Sequence, residues 1–170
     1  MSELSATYQT LLTHINTITN DNEEFVLDQD GILSVFINAS ELKNTLSALK
    51  NHEWCKVNFL TSMNAVHYPE MAGMEIQMVY HLHSWLNNFR FRLKCSLPIE
   101  NPVIDSVTSV FKSANWMERE AYDFFGVEFE GHPDLRRILN VDHMEYFPLR
   151  KEYPLEDASR EDKEDKFFGR

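Results

Sequence analysis

The apolar positions lay out most of the chain before any motif is considered. Leu4, Tyr8, Leu11, Leu12, Ile15 and Ile18 recur at three-, four- and seven-residue offsets, which predicts a helix with one buried stripe over about 3–19. Phe25-Val26-Leu27 and the run 32–37 are joined through Asp30-Gly31, a dipeptide that tolerates the positive φ of a tight turn, so two antiparallel strands are expected. Asn38 can cap a second helix, with Glu41 as its partner and Leu42, Leu46 and Leu49 as its buried stripe. From Trp54 to Thr61, Cys55, Val57 and Phe59 alternate with Lys56 and Asn58, the period of a half-buried strand. If this strand shares a sheet with the one before the helix, the crossover should be right-handed. Residues 62–73 read as a loop. Ile76, Met78, Tyr80 and Leu82 then alternate with Gln77, Val79 and His81. Phe89, Phe91, Leu93, Cys95 and Leu97 alternate with Arg90, Arg92, Lys94 and Ser96, which makes a hairpin turning near Asn87-Asn88. Its basic outer face can lie opposite His81 and His83 or meet an acidic partner.

Beyond a loop bracketed by Pro98 and Pro102, Asp105 or Ser106 can start a helix with Val107, Val110, Phe111 and Ala114 inward. Asn115, with Glu118 three residues on, can cap a further helix opening at Trp116, and Gly126 is placed to close it in a left-handed conformation. This order predicts an α+β fold: a mixed, largely antiparallel sheet with helices over one face. It forms a single domain over 1–149. From 150 to 170 charges alternate without an apolar period until Phe167-Phe168, and such a segment cannot bury enough surface to fold alone. We expect an extended arm that orders on a partner, with Phe167 and Phe168 as anchors.

Composition narrows the function. A chain of 170 residues with 43% hydrophobic content supports one core. Its formal charge of −11 argues against nucleic acid, which requires a cationic face, and against direct binding to anionic membranes. There is no run of about twenty apolar residues and no signal-peptide pattern, so a cytoplasmic location is expected. Two cysteines are too few for a disulfide framework or for an iron–sulfur cluster, which takes four thiolates.

No glycine arrangement matches a dinucleotide or phosphate cradle, so NADH binding by this chain is not expected. Cys55 and Cys95 read as buried inert thiols. His81 and His83 share a strand face at a chelating spacing but lack a further ligand nearby, and no metal site is assigned. No nucleophile–base pairing is visible. Trp54, Trp85 and Trp116 read as core or interface anchors.

The densest chemistry lies between Asn115 and Pro154. Arg119 and Asp123 are four apart and can pair, whereas Glu118 and Glu120 point to different sides. Glu120 and Asp123 share a face and repel unless Arg119, Arg136 or Arg137 intervenes. Taken with His132, Asp134, Arg150 and Lys151, and with the aromatics among them, the set reads as a protein interface rather than a solvated surface. A stand-alone enzyme using Glu118, Glu120, Asp123 and His132 as acid and base is the weaker alternative, because no pocket-forming motif accompanies them.

The stretch E-R-E-A-Y-D-F-F-G-V-E-F-E-G-H-P-D-L-R-R-I-L, followed by P-L-R-K-E-Y-P-L, resembles the signature of the 30 kDa subunit family of NADH-quinone oxidoreductase, respiratory complex I. That family usually carries Trp-Glu-Gly-His before Pro-Leu-Arg-Lys, where this chain has Asp142 to Phe147. The resemblance implies a cofactor-free subunit of the hydrophilic arm, on the cytoplasmic side of the inner membrane, packed on the large quinone-site subunit. It also implies that flavin, iron–sulfur clusters, NADH and quinone are handled by other chains. The same module in a plastid or cyanobacterial quinone reductase, or in a membrane-bound hydrogenase, is the alternative.

Overall fold

The computed structural model describes residues 4–19 and 23–153; of the arm expected at 150–170, the part from 154 onward, with Phe167 and Phe168, lies outside the described residues. Helix α1 (Ala6–Thr19) leads into the hairpin β1 (Phe25–Leu27) and β2 (Leu33–Phe36). A 3-10 turn (Ala39–Glu41) and α2 (Leu42–Asn51) follow, then β3 (Phe59–His67), β4 (Ile76–Ser84) and β5 (Phe89–Leu97). The last elements are β6 (Val103–Asp105), α3 (Ala114–Phe125) and β7 (Glu128–Glu130).

The larger sheet runs β1-β2-β5-β4-β3, antiparallel except for the parallel β2–β5 pair, so the predicted mixed α+β architecture holds. Register places the apolar positions on one face. Tyr80 pairs with Leu93, Leu82 with Phe91, Leu33 with Phe91 and Val35 with Leu93. This face meets Leu11, Leu12 and Ile15 of α1 and Leu42, Leu46 and Leu49 of α2 in one buried cluster. The opposite face is polar. Arg92 there pairs with Asp28 and Asp30 from the first hairpin, Lys94 lies 3.5 Å from Asp28, and His81 and His83 face Arg92 and Arg90 as expected. The Tyr8 hydroxyl donates to the Arg90 carbonyl at 2.9 Å, tying α1 to the sheet. Gly31 (φ 76°) makes the first turn and Asn88 (φ 49°) lies in the turn between β4 and β5.

Four local expectations change. Residues 52–58 form turns, with Lys56 at φ 41°, and the strand placed at 54–61 begins instead at Phe59 and runs through the predicted loop to His67. A bulge between Leu60 and Ser62 accounts for the difference, because it puts both Leu60 and Met63 on the buried face. Asn38 precedes a 3-10 turn and makes no side-chain cap bond. No helix forms at 105–113; Val107 and Phe111 are buried as expected, but in the turns before α3, and Ala114 is buried as its first residue. Helix α3 opens at Ala114, two residues before the expected Trp116, and Ser113 in the capping position makes no side-chain cap bond.

Those turns connect a unit that the sequence concealed. β6 and β7 pair in parallel as a second, two-stranded sheet, with α3 as the crossover between them. The Ser106 amide donates to the Glu130 carbonyl at 2.8 Å and the Glu128 amide to the Pro102 carbonyl at 2.8 Å, extending the pairing beyond the strands. Three-residue strands are too short to show a period.

Candidate partner interface

Helix α3 carries two buried carboxylates with opposite characters. Gly126 ends the helix in the left-handed conformation (φ 75°), as the sequence predicts, and its amide bonds to the Tyr122 carbonyl at 2.9 Å. The chain turns back there and, after β7, runs without regular structure from 131 to 153. Asp123 organises that return. Its Oδ2 accepts the Ile138, Leu139 and Asn140 amides at 3.1, 2.8 and 3.0 Å, and its Oδ1 accepts Asn140 Nδ2 and Arg137 Nη1, each at 3.0 Å. Burial alone would raise this carboxyl. The hydrogen bonds from Asn140 and Leu139, and the Arg137 guanidinium, override burial and hold it well below the usual carboxylate range.

Arg137 therefore takes the partnership that helical spacing suggested for Arg119. It also donates to the Asp123, Met144 and Tyr146 carbonyls, at 2.9, 2.8 and 3.3 Å. Arg119 is buried and donates to the Arg136 and Arg137 carbonyls at 3.1 and 3.3 Å, with its guanidinium over the Trp116 ring. Arg150 donates to the Phe125 carbonyl at 2.7 Å. Between the two arginines lies Phe147, its ring centre 5.1 Å from the Arg137 guanidinium carbon and 4.7 Å from that of Arg150. Downstream, the Lys151 amide donates to His67 Nδ1 at 3.0 Å, fastening the loop to the end of β3.

Glu118 is buried among neutral groups. The Ser106 hydroxyl donates to one oxygen and the Val107 amide to the other, both at 2.7 Å. Burial pushes its pKa up to about 7, against the opposing pull of Ser106, Val107 and the charge of Lys43. His132 reaches this carboxyl from the turn after β7, with Nε2 3.9 Å from Glu118 Oε2 and its side chain fully enclosed. Its Nδ1 accepts the Asp134 amide at 3.0 Å, so the ring proton sits on Nε2, 3.1 Å from the Asn115 carbonyl. Both contacts hold the turn after β7 in place.

Of the residues singled out by sequence, Glu118, Arg119, Asp123, His132 and Arg137 thus spend their side chains inside the chain. Glu120, Asp134, Arg136 and Lys151 face outward, and Arg150 is half-buried. The Asp134–Arg136 pair is surface-exposed at 3.0 Å. Trp85 and Trp116 are both 64% exposed, so neither is a core anchor. The sequence offered Ser106 only as a helix start and did not flag Asn140. An Asn or Ser in a loop matches too many roles for its partner, 12 to 17 residues away, to be named.

Among the described residues no group of three or more His, Cys, Asp or Glu could hold a metal ion, and no helix is long and apolar enough to cross a membrane. Burial raises the Cys55 and Cys95 thiols to about 11 and about 12.

Comparison with known proteins bears on the same segment. The second NADH-quinone oxidoreductase C-type subunit of Rhizobium meliloti (strain 1021) is 44% identical over 126 residues, which is 74% of this chain and 68% of that protein. Its counterpart in Rhizobium etli (strain CIAT 652) is 49% identical over 63% of this chain and 56% of its own length. The C-type subunit of the NADH-quinone oxidoreductase of Caulobacter vibrioides is 43% identical over 74% and 62% respectively. This chain thus spans about half to two thirds of the relatives it matches. Among solved structures, a trypsin-resistant fragment (1-134) of Nqo5 superposes with a TM-score of 0.62 at 28% identity, covering 75% of this chain and 98% of the fragment. A chain of the membrane-bound sulfane sulfur reductase, an archaeal respiratory membrane complex, shares the fold, with a TM-score of 0.73 at 22% identity over 88% of this chain and 86% of that one. Residues 35–159, from β2 through the loop that Asp123 anchors, match the respiratory-chain NADH dehydrogenase 30 Kd subunit family, and the chain belongs to it.

Proposed function

We propose that this chain is a cofactor-free subunit of the peripheral arm of a proton-translocating NADH:quinone oxidoreductase. It sits on the cytoplasmic side of the inner membrane and docks on the large subunit that builds the quinone site. Flavin, iron–sulfur clusters, NADH and quinone belong, on this reading, to other subunits, and this chain contributes assembly and positioning. One observation carries the proposal. The loop 134–153 is fixed from within by Asp123, Arg137 and Arg150, while it holds Leu139 at 72%, Val141 at 51% and Tyr146 and Leu149 at 44% exposure. A rigid irregular segment that displays apolar side chains between charges has the anatomy of a protein interface. Glu120, Asp134, Arg136 and Lys151 supply its polar rim.

The test is Leu139→Asp with Val141→Asp. Thermal unfolding of the isolated chain should be unchanged, whereas recovery of the large subunit in a pull-down from detergent-solubilised membranes should fall sharply. Undiminished recovery removes this face as the contact. Turnover of NADH with a quinone by the purified chain alone overturns the cofactor-free reading.

A further inference from the structure

We infer that Glu118 is a proton-exchange site, served by the Ser106–Thr108 hydroxyl pair, that links the charge of the β6–α3 junction to the seating of the His132 turn. The carboxyl is fully enclosed and, among the described residues, no lysine or arginine nitrogen lies within ion-pair distance of it. Its neighbours are the Ser106 hydroxyl and Val107 amide at 2.7 Å, and the His132 ring at 3.9 Å. The charged group farther off is Lys43 of α2, itself 3.5 Å from Asp105 of β6. Tyr80 of β4 brings a fully buried hydroxyl with no hydrogen-bond partner among the described residues, and its pKa is raised by burial, by Cys95 and by the charge on Glu118. Asp123, five positions along the same helix, is surrounded by donors. A pair of carboxyls whose environments drive them apart in this way leaves one ionised at neutral pH and the other able to exchange a proton.

The route is a chain of oxygens. Glu118 Oε2 lies 2.7 Å from Ser106 Oγ, and Ser106 Oγ lies 2.8 Å from Thr108 Oγ1, where either hydroxyl can be the donor. With Glu118 ionised, Ser106 donates to it and accepts from the Thr108 hydroxyl. With Glu118 neutral, the acid proton points at Ser106 and Ser106 donates to Thr108. The Thr108 amide donates to Ser106 Oγ at 3.3 Å, so Ser106 is satisfied in both directions. A proton arriving from water at the half-buried Thr108 thus moves one O–H bond at each step and leaves one proton on Glu118.

The experiment is carbon-13 NMR of the full chain labelled at the glutamate carboxyl carbons, with Glu118→Gln identifying the signal. The resonance should titrate with a midpoint close to neutral, and the Asp134 amide should shift with the same midpoint. Ser106→Ala removes the hydroxyl that stabilises the charge and should move the midpoint up, which keeps the assignment possible even where Glu118→Gln fails to fold. Thr108→Val should slow growth of the acid carbonyl infrared band several-fold after a pH jump. A Glu118 signal that titrates like the exposed glutamates overturns the site. An unmoved Asp134 amide overturns the link to the turn, and an unchanged rate in Thr108→Val overturns the hydroxyl route.

Discussion

Replacing Gly126 by alanine separates two costs that a neighbouring glycine isolates. Gly126 and Gly131 adopt nearly the same left-handed conformation, at φ 75° and 78°. An added methyl at Gly131 meets nothing within 4 Å, so Gly131→Ala costs only backbone strain, about 1–2 kcal/mol. At Gly126 the same methyl would stand 2.6 Å from Phe147 Cζ and would also press on Cε2. Carbon atoms rest about 3.5–4.0 Å apart, so the ring must retreat by about an ångström or more. It cannot do so freely, because the guanidinium groups of Arg137 and Arg150 lie against it. Losing two such contacts adds about 1–3 kcal/mol to the backbone strain. Gly126→Ala should therefore cost about 3–4 kcal/mol in all, and about 2 kcal/mol more than Gly131→Ala, roughly thirtyfold in the folding equilibrium. Urea unfolding followed by tryptophan fluorescence measures both variants, provided the slope against denaturant is unchanged. In a Phe147→Ala background, Gly126→Ala should cost only the backbone strain, since the obstacle is then gone. Equal costs at the two glycines would mean that Phe147 does not occupy the helix end and that the arginine clamp around it is wrong.

Asp123→Asn should destabilise the chain by about 3–5 kcal/mol, because it strands Arg137 in a buried site; calorimetry of the two proteins gives the difference. The Asp123 contribution is present above the unfolded carboxyl value of 3.8 and is lost as pH falls towards its depressed folded value, so wild type and Asp123→Asn should converge in strong acid. Glu118 behaves in the opposite sense. Its folded pKa of about 7 exceeds the ordinary 4.5, so its proton favours folding at low pH and that support fades between the two values, by about 3 kcal/mol in total. Unfolding at a series of pH values should show this slope, and Glu118→Gln should flatten it. Cys55 and Cys95, raised by burial to about 11 and about 12, should resist an aromatic disulfide reagent at neutral pH until urea opens the core; rapid labelling of the folded chain would contradict their placement.

The sequence is most readable where one rule applies without interruption. Five alternating apolar positions from Phe89 to Leu97 define β5, and the Asp30-Gly31 turn defines the first hairpin. β3 obeys the same rule on each side of its bulge but with opposite parity, so a scan of fixed period follows the wrong residues, Cys55 and Val57, into a turn. The candidate site shows the same limit. The composition of 115–154 marks the candidate region, but the roles within it are set by contacts between residues far apart in the chain. Helical spacing offers Asp123 a partner in Arg119, and the fold gives it Arg137 with the amides of 138–140, because the loop returns across the helix end. Nothing within four residues of Asp123 carries that information.

The parallel join between β2 and β5 bears on how the molecule is made. Leu33 waits for Phe91 and Val35 for Leu93, so the first two strands and the stripe of α1 leave the ribosome well before the strand that completes their sheet. Pairings of such long sequence separation form slowly. The β3-β4-β5 meander, built from neighbours, can assemble first and then capture the amino-terminal hairpin. Until it does, Leu11, Leu12 and Ile15 lack the sheet face that completes their cover. During synthesis the amino-terminal third is the stretch on which a chaperone would hold the growing chain.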